Sequence, residues 1–296
     1  MTTTNPTTNP APSATTPATI REISIAHSPD SDDAFMFYAL ATGKVVVPGL
    51  KFTHTLCDIE TLNQLAMREA PYDITAISFH AYPYVQEKYA LMPCGGSVGE
   101  GYGPMIVARR PYTLEQVGKL RIAIPGTLTT ANLMLRIILP GVETELVPFD
   151  QIIPQVRAGK FDAGLIIHEG QLTYVRDGLH LVLDVGQWWR QQTGLPLPLG
   201  GNAIRRGLGP ELHRQLNQAL RQSIQYALDH REDALHHAMQ YARDLDTPDA
   251  SRFVGMYVNE RTIDYGEDGK NAIRRLLALG HERGILPHAA HVDFVG

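Results

Sequence analysis

The chain has 296 residues, 44% of them hydrophobic, and 26 lysines and arginines against 31 aspartates and glutamates. That apolar content rules out a globally disordered chain, and a net charge of −5 offers nucleic acid no broadly basic face. Cys57 and Cys94 form neither a CxxC pair nor a metal-ligand spacing, which argues against a disulfide framework and a structural zinc site and fits a reducing compartment.

Residues 1–19 are almost all Thr, Pro, Ala, Asn and Ser. They lack the basic start and apolar run of a secretory signal and read as a disordered tail, here bounded at 1–20. No later segment is apolar for the roughly 18 residues a membrane span needs, so the expected location is cytoplasmic. From Arg21 a strand–loop–helix pattern begins: a strand at 22–27, a polar turn at 28–33 (SPDSDD), and a helix over 34–41 with Gly43 as its C-terminal glycine. A strand at 51–56, a helix at 58–68 capped by Asp58, and an almost continuously apolar strand at 72–79 follow. Strands alternating with helices predict βαβ units and a mainly parallel sheet.

The pattern restarts after Pro111, with strands at 120–124, 144–148 and 161–167 and helices at 131–139 and 150–158. Two such α/β cores in succession predict two lobes. The extended, Gly- and Pro-flanked segments 104–109 and 198–205 are expected to be the two crossings of a hinge. This gives lobe 1 over 21–108, an inserted lobe 2 over 109–203, and a helical completion of lobe 1 over 204–296. In that last part an amphipathic period runs over 211–245, and another helix over 268–280 is expected to end at Gly280.

Ligands of parallel sheets sit beyond the carboxyl ends of the strands. Five segments lie at such positions. Ser28, Asp30, Ser31, Asp32 and Asp33 either cap the following helix or bind substrate hydroxyls. Two-residue periodicity puts Ser78 and His80 on one face, either toward the cleft between the lobes or, for His80, in a hydrogen bond at the sheet edge. The five glycines of 93–104 (PCGGSVGEGYGP) permit tight turns and close backbone approach but match no nucleotide fingerprint. The GTLTT run at 126–130 offers Thr127, Thr129, Thr130 and a helix N-terminus, suited either to capping or to holding an anion. Finally, the strand at 161–167 delivers His168 and Glu169 to its carboxyl end, where an imidazole serves as a general base. No nucleophile elbow or reactive-cysteine pattern is present, so the expected chemistry is proton transfer or elimination.

In chain order, Ser28-Pro29 with its acidic loop, Ser78-Phe79, Gly95-Gly96, Gly99-x-Gly101-x-Gly103-Pro104, Gly126-x-x-Thr129-Thr130-Ala131-Asn132-Leu133, Ile167-His168-Glu169-Gly170 and Pro198-Leu199-Gly200-Gly201 resemble the 1,4-dihydroxy-6-naphthoate synthase family of the futalosine route to menaquinone. The resemblance covers roughly residues 22–210. It implies an α/β, two-lobed fold like periplasmic solute-binding proteins (class II), with mixed, mostly parallel sheets, flanking helices and a ligand cleft between the lobes. It also implies a lyase that cleaves cyclic dehypoxanthinyl futalosine to 1,4-dihydroxy-6-naphthoate and dihydroxyacetone without metal or organic cofactor. His168 is then the base, and Ser28, Asp33, Ser78, Thr129, Thr130 and Gly200 are the substrate-binding candidates. The partner is a small molecule, with neither nucleic acid nor membrane involved. Two departures stand out: the loop reads SPDSDDAF where the family is closer to SPCPNDTF, and Ala76 stands where many members carry Lys. Both point toward a related but altered substrate. The alternatives are a chorismate dehydratase-like enzyme, which shares the fold, and a non-catalytic binding protein.

Overall fold

The computed structural model describes residues 20–241 and 246–296. The tail predicted over 1–20 lies outside them apart from Ile20, and so does the end of the amphipathic stretch predicted to reach 245. Strand β1 (Arg21–His27) runs into helix α1 (Ser31–Met36). The helix thus begins three residues before the predicted Ala34. Asp32 and Asp33 occupy its first turn, where carboxylates oppose the helix dipole. A second short helix, Tyr38–Ala41, ends before Gly43, whose φ of +68° is the left-handed turn expected there. After β2 (Leu50–Leu56), α2 (Ile59–Arg68) starts at Asp58, whose carboxylate accepts from the Thr61 amide at 3.0 Å, as the sequence predicts. All five residues of β3 (Ile74–Ser78) are buried, which explains its unbroken apolar reading.

Strands β4 (Tyr89–Leu91) and β5 (Ser97–Gly99) precede β6 (Met105–Ala108). Next come β7 (Arg121–Ile124), helix α3 (Thr130–Ile138), β8 (Glu143–Leu146), β9 (Ala163–Ile166), β10 (His180–Asp184) and β11 (Leu197–Arg205). The first sheet has the order β2-β1-β3-β11-β4, with β5 also paired to β11. The second has the order β10-β6-β9-β7-β8. In each, three parallel strands continue on one side into antiparallel pairings.

The segments 104–109 and 198–205 are therefore not free hinge crossings. As β6 and β11 they are paired on both sides inside the two sheets, where their backbone polar groups find partners. The chain passes between sheets just outside them, between Gly99 and Met105 and between Thr193 and Leu197.

The C-terminal part supplies α4 (Pro210–Asp229), α5 (Thr247–Tyr257) and α6 (Gly266–Glu282). The amphipathic stretch predicted from 211 breaks at His230, whose φ of −118° and ψ of 48° leave the helix before Arg231–Ala238 resumes it. Helix α6 does not end at Gly280. That glycine is buried, and a side chain there would press on Leu286 and Leu133, so it serves close packing. The left-handed residue after the helix is Gly284. One apolar core runs from Ile77 and Phe79 of the first sheet's β3 end through Leu133 and Leu135 of α3 to Ile106 and Ile122 of the second. The C-terminus closes over β4: Arg206 donates twice to the Asp293 carboxylate at 2.7 Å, and Phe294 pairs with Leu91. No helix among the described residues is long and apolar enough to cross a membrane.

Candidate functional site

A cleft opens where the carboxyl ends of β1 and β3 face the N-terminus of α3. Its walls combine chemically distinct segments: Ser28 to Asp33, Ala76 to Ser78, Thr129 to Ala131, Leu199 to Asn202, and Phe253 and Tyr257 of α5. This is the mixed polarity of a small-molecule site. Of the residues the sequence singled out, Ser28, Asp33, Ser78, Thr129, Thr130 and Gly200 all line it.

Each is held by identifiable contacts. Ser78 ends β3, and its hydroxyl accepts from Asn63 Nδ2 at 3.1 Å while its amide donates to Asn63 Oδ1 at 2.9 Å. With its lone pair engaged, the Ser78 hydroxyl keeps its proton available for an acceptor in the cleft. Thr129 caps α3, its hydroxyl accepting from the Asn132 amide at 3.2 Å and donating to Gly126 O at 3.1 Å. The Thr130 hydroxyl donates to Leu199 O across to β11 and accepts from the His80 amide. Both threonine hydroxyls are thus committed inside the protein. What this segment offers a ligand is the first-turn amides of Thr130 and Ala131, which have no intrahelical acceptor.

His80 does not share a face with Ser78, because the strand stops at Ser78 and residues 79–81 form a 3₁₀ turn. Its ring is buried, with Nδ1 3.0 Å from Thr129 O, and burial pushes its pKa down to about 4. It is a neutral brace beneath α3.

The acidic loop is wired internally. The Ser28 amide donates to Asp33 Oδ2 at 2.8 Å, the Ser28 hydroxyl to Asp30 Oδ2 at 2.8 Å, and His27 Nδ1 to Ser28 O at 3.0 Å. Asp30 occupies the N-cap position of α1 without a side-chain cap bond. Burial, with Asp30 adding repulsion, raises the Asp33 carboxyl to about 7 against the pull of the Ser28 amide. Burial and the neighbouring Asp33, Asp30 and Glu169 hold Asp32 well above the usual carboxylate range. Glu169, raised by burial and Asp30, reaches over from the second sheet and accepts from Ser31 Oγ at 3.1 Å. Among the described residues no cluster is arranged to hold a metal ion.

These shifts carry a pH signature. A carboxyl whose folded pKa lies above its unfolded value near 3.9 holds an extra proton in the native state. Its contribution to stability is complete below the unfolded pKa and is lost as pH rises through about 7 for Asp33. We expect Asp33→Asn to gain stability relative to the unaltered chain as pH rises from 5 to 8, read as the difference in urea midpoints. A difference independent of pH would show that Asp33 ionises normally.

His168 stands apart from the other candidates. Ile167 lines the cleft, but the imidazole lies behind the wall, 14% exposed, its ring edge-on to Phe149. Nδ1 accepts from the Gly170 amide at 3.1 Å, which assigns the proton to Nε2, 3.0 Å from Phe149 O. Glu169 Oε2 lies 4.0 Å from Nδ1. The wall also contains residues that sequence reading missed: Asn202, Phe253 and Tyr257, with Asn63 behind Ser78. Tyr257 donates to Gln171 Oε1 at 2.9 Å and so ties α5 to the segment after His168. No motif marks any of these four in the sequence.

Three comparisons bear on this cleft. The family model for menaquinone biosynthesis matches residues 23–282. A 1,4-dihydroxy-6-naphthoate synthase from Thermus thermophilus is 42% identical over 271 residues, covering 92% of this chain and 98% of the relative. Among solved structures, the protein AF1704 from Archaeoglobus fulgidus superposes with a TM-score of 0.86 at 45% identity, covering 90% of this chain and 98% of that one. The ligand-binding component of an ABC-type import system from Staphylococcus aureus superposes with a TM-score of 0.71 at 12% identity, covering 93% and 96%. That last likeness concerns the fold alone, and it is the two-lobed, periplasmic-binding-protein-like fold expected from the sequence.

Proposed function

The chain belongs to the menaquinone biosynthesis family and is an enzyme of that route, and from this we propose that it is the lyase that converts cyclic dehypoxanthinyl futalosine to 1,4-dihydroxy-6-naphthoate and dihydroxyacetone. The near full-length similarity to the Thermus enzyme carries the reading. The cleft's chemistry supports it. A carboxylate of the aromatic part fits the Ser78 hydroxyl and the first-turn amides of Thr130 and Ala131. Ser28 and Asp33, at the other wall, suit hydroxyl groups.

We assign the base role to His168. Phe149 O holds Nε2–H and so leaves the lone pair on Nδ1, the arrangement in which a carbonyl stabilises the imidazolium formed after proton transfer. The reading requires the Gly170 amide to release Nδ1 when substrate enters, with the Nε2–H···Phe149 O bond kept. Proton removal then starts C–C cleavage, and aromatisation of the naphthalene drives it to completion. Enclosure between the lobes excludes water during the step. The biosynthetic role supports a cytoplasmic location, and the net negative charge supports a small-molecule partner rather than nucleic acid.

The direct test incubates the purified chain with cyclic dehypoxanthinyl futalosine and follows naphthoate and dihydroxyacetone by mass spectrometry. Both products are expected in equal amounts. Ligand bound and recovered unchanged would defeat the lyase reading, and dehydration of chorismate in its place would reassign the substrate.

A further inference from the structure

Asn202 presents a hydrogen-bond acceptor that the protein itself does not use. It sits on β11 in antiparallel register with Ala76 of β3, and two positions along the same strands Gly200 faces Ser78. Directly opposed residues of antiparallel strands project from the same face. Asn202 therefore shares with Ala76 and Ser78 the face that forms the cleft wall. Its side chain is 1% exposed.

The orientation of the amide follows from its neighbours. Nδ2 donates to Gly95 O at 2.6 Å. A flipped amide would set two carbonyl oxygens against each other, so the nitrogen belongs there. Oδ1 is then directed to the other side, buried, with no donor among the described residues. Leaving a buried acceptor unpaired is costly, and sites that do so reward a ligand able to supply the missing donor. A neutral amide oxygen selects a hydroxyl or N–H and repels a carboxylate. The opposing Ala76 is too short to reach it. Met36 Sδ, 3.9 Å from Asn202 Nδ2, and Gly95 O hold the nitrogen on the α1 side, which leaves the free oxygen to the cleft that Asn202 lines.

We propose that Asn202 Oδ1 accepts a hydrogen bond from a hydroxyl of the substrate's three-carbon fragment, orienting that fragment toward β11 and the aromatic carboxylate toward α3. The assignment rests on the lyase reading above. It makes Asn202 a specificity-determining residue that discriminates the polyol end of the substrate.

The test compares two ligands in one variant. Asn202→Ala is expected to lower kcat/KM for cyclic dehypoxanthinyl futalosine about tenfold, the loss typical of one buried hydrogen bond. The inhibition constant of 1,4-dihydroxy-6-naphthoate, which lacks the three-carbon fragment, should move by less than about twofold. Should the alanine variant fail to fold, Asn202→Ser carries the same comparison, because it removes the amide oxygen and keeps a polar group on β11. Equal weakening of both ligands would mean that Asn202 merely braces Gly95, and unchanged kinetics would mean that its oxygen meets no substrate; either result overturns the proposal. An unaltered chain that binds the naphthoate but turns over no cyclic substrate overturns instead the lyase reading on which the assignment stands.

Discussion

His168→Ala should fold normally and lose at least 100-fold in kcat on cyclic dehypoxanthinyl futalosine, the smaller end of what a positioned general base contributes. The fold should survive because the ring makes few structural contacts: one carbonyl, one amide and an edge against Phe149. Naphthoate binding should change little, since the ring is not part of the cleft wall in the ligand-free arrangement. The expected pattern is therefore a fall in kcat with little change in KM, which marks a group acting on the transition state rather than on ground-state binding. Circular dichroism and thermal unfolding establish the fold, and single-turnover kinetics isolate the chemical step. Retention of more than a tenth of the activity would remove His168 from the base role. Attention would then move to Asp33, which lies in the wall and whose carboxyl is raised to about 7.

The parts of this site that were legible in the sequence are those set by neighbouring residues. The Asp58 cap, the acidic turn after β1, and the unbroken apolar run of β3 depend on interactions within a few positions. Thr129 and Thr130 were legible as a helix start, but their division of labour was not: one caps its own helix and the other reaches Leu199, 69 residues away. Asn63 and Asn202 look like ordinary polar residues in a helix and a strand. They matter because folding places Asn63 against Ser78, and Asn202 against Gly95, which lies 107 residues from it. His80 misled for a local reason: two-residue periodicity holds only while the strand lasts, and the strand ends at Ser78. Residues 104–109 and 198–205 carry the Gly and Pro flanks of a crossing, yet their interiors have the apolar content of paired strands. Those flanks mark where the crossings lie.

At one of those crossings a single methyl group should have a large effect. The Tyr102 carbonyl is enclosed by glycine on both sides. A Cβ on Gly99 would fall 1.9 Å from its oxygen, and one on Gly186, at the start of the helix Val185–Thr193, would fall 2.0 Å from the same atom and 2.7 Å from Gly103 N. All of these atoms are backbone, so no rotamer change relieves the overlap and the crossing itself must shift. Tyr102 also anchors that crossing to α5: its hydroxyl donates to Met256 O and its ring packs edge-on against Tyr257, 5.7 Å between centroids. Tyr257 in turn lines the cleft and bonds Gln171, near His168. We expect Gly186→Ala to cost about 3 kcal/mol or more, within the range of severe steric substitutions, and to lower Tm by roughly 5 °C or more for a chain of this size. The folded fraction should show impaired turnover, because the displaced crossing carries α5 and its share of the wall with it. Gly207→Ala is the matched control: a Cβ there meets nothing within 4 Å and the residue has no left-handed φ, so its stability should stay within about 0.5 kcal/mol of the unaltered chain. Equal melting temperatures for the two variants would show that the crossing yields easily and that the glycines do not hold the two sheets in their working relation.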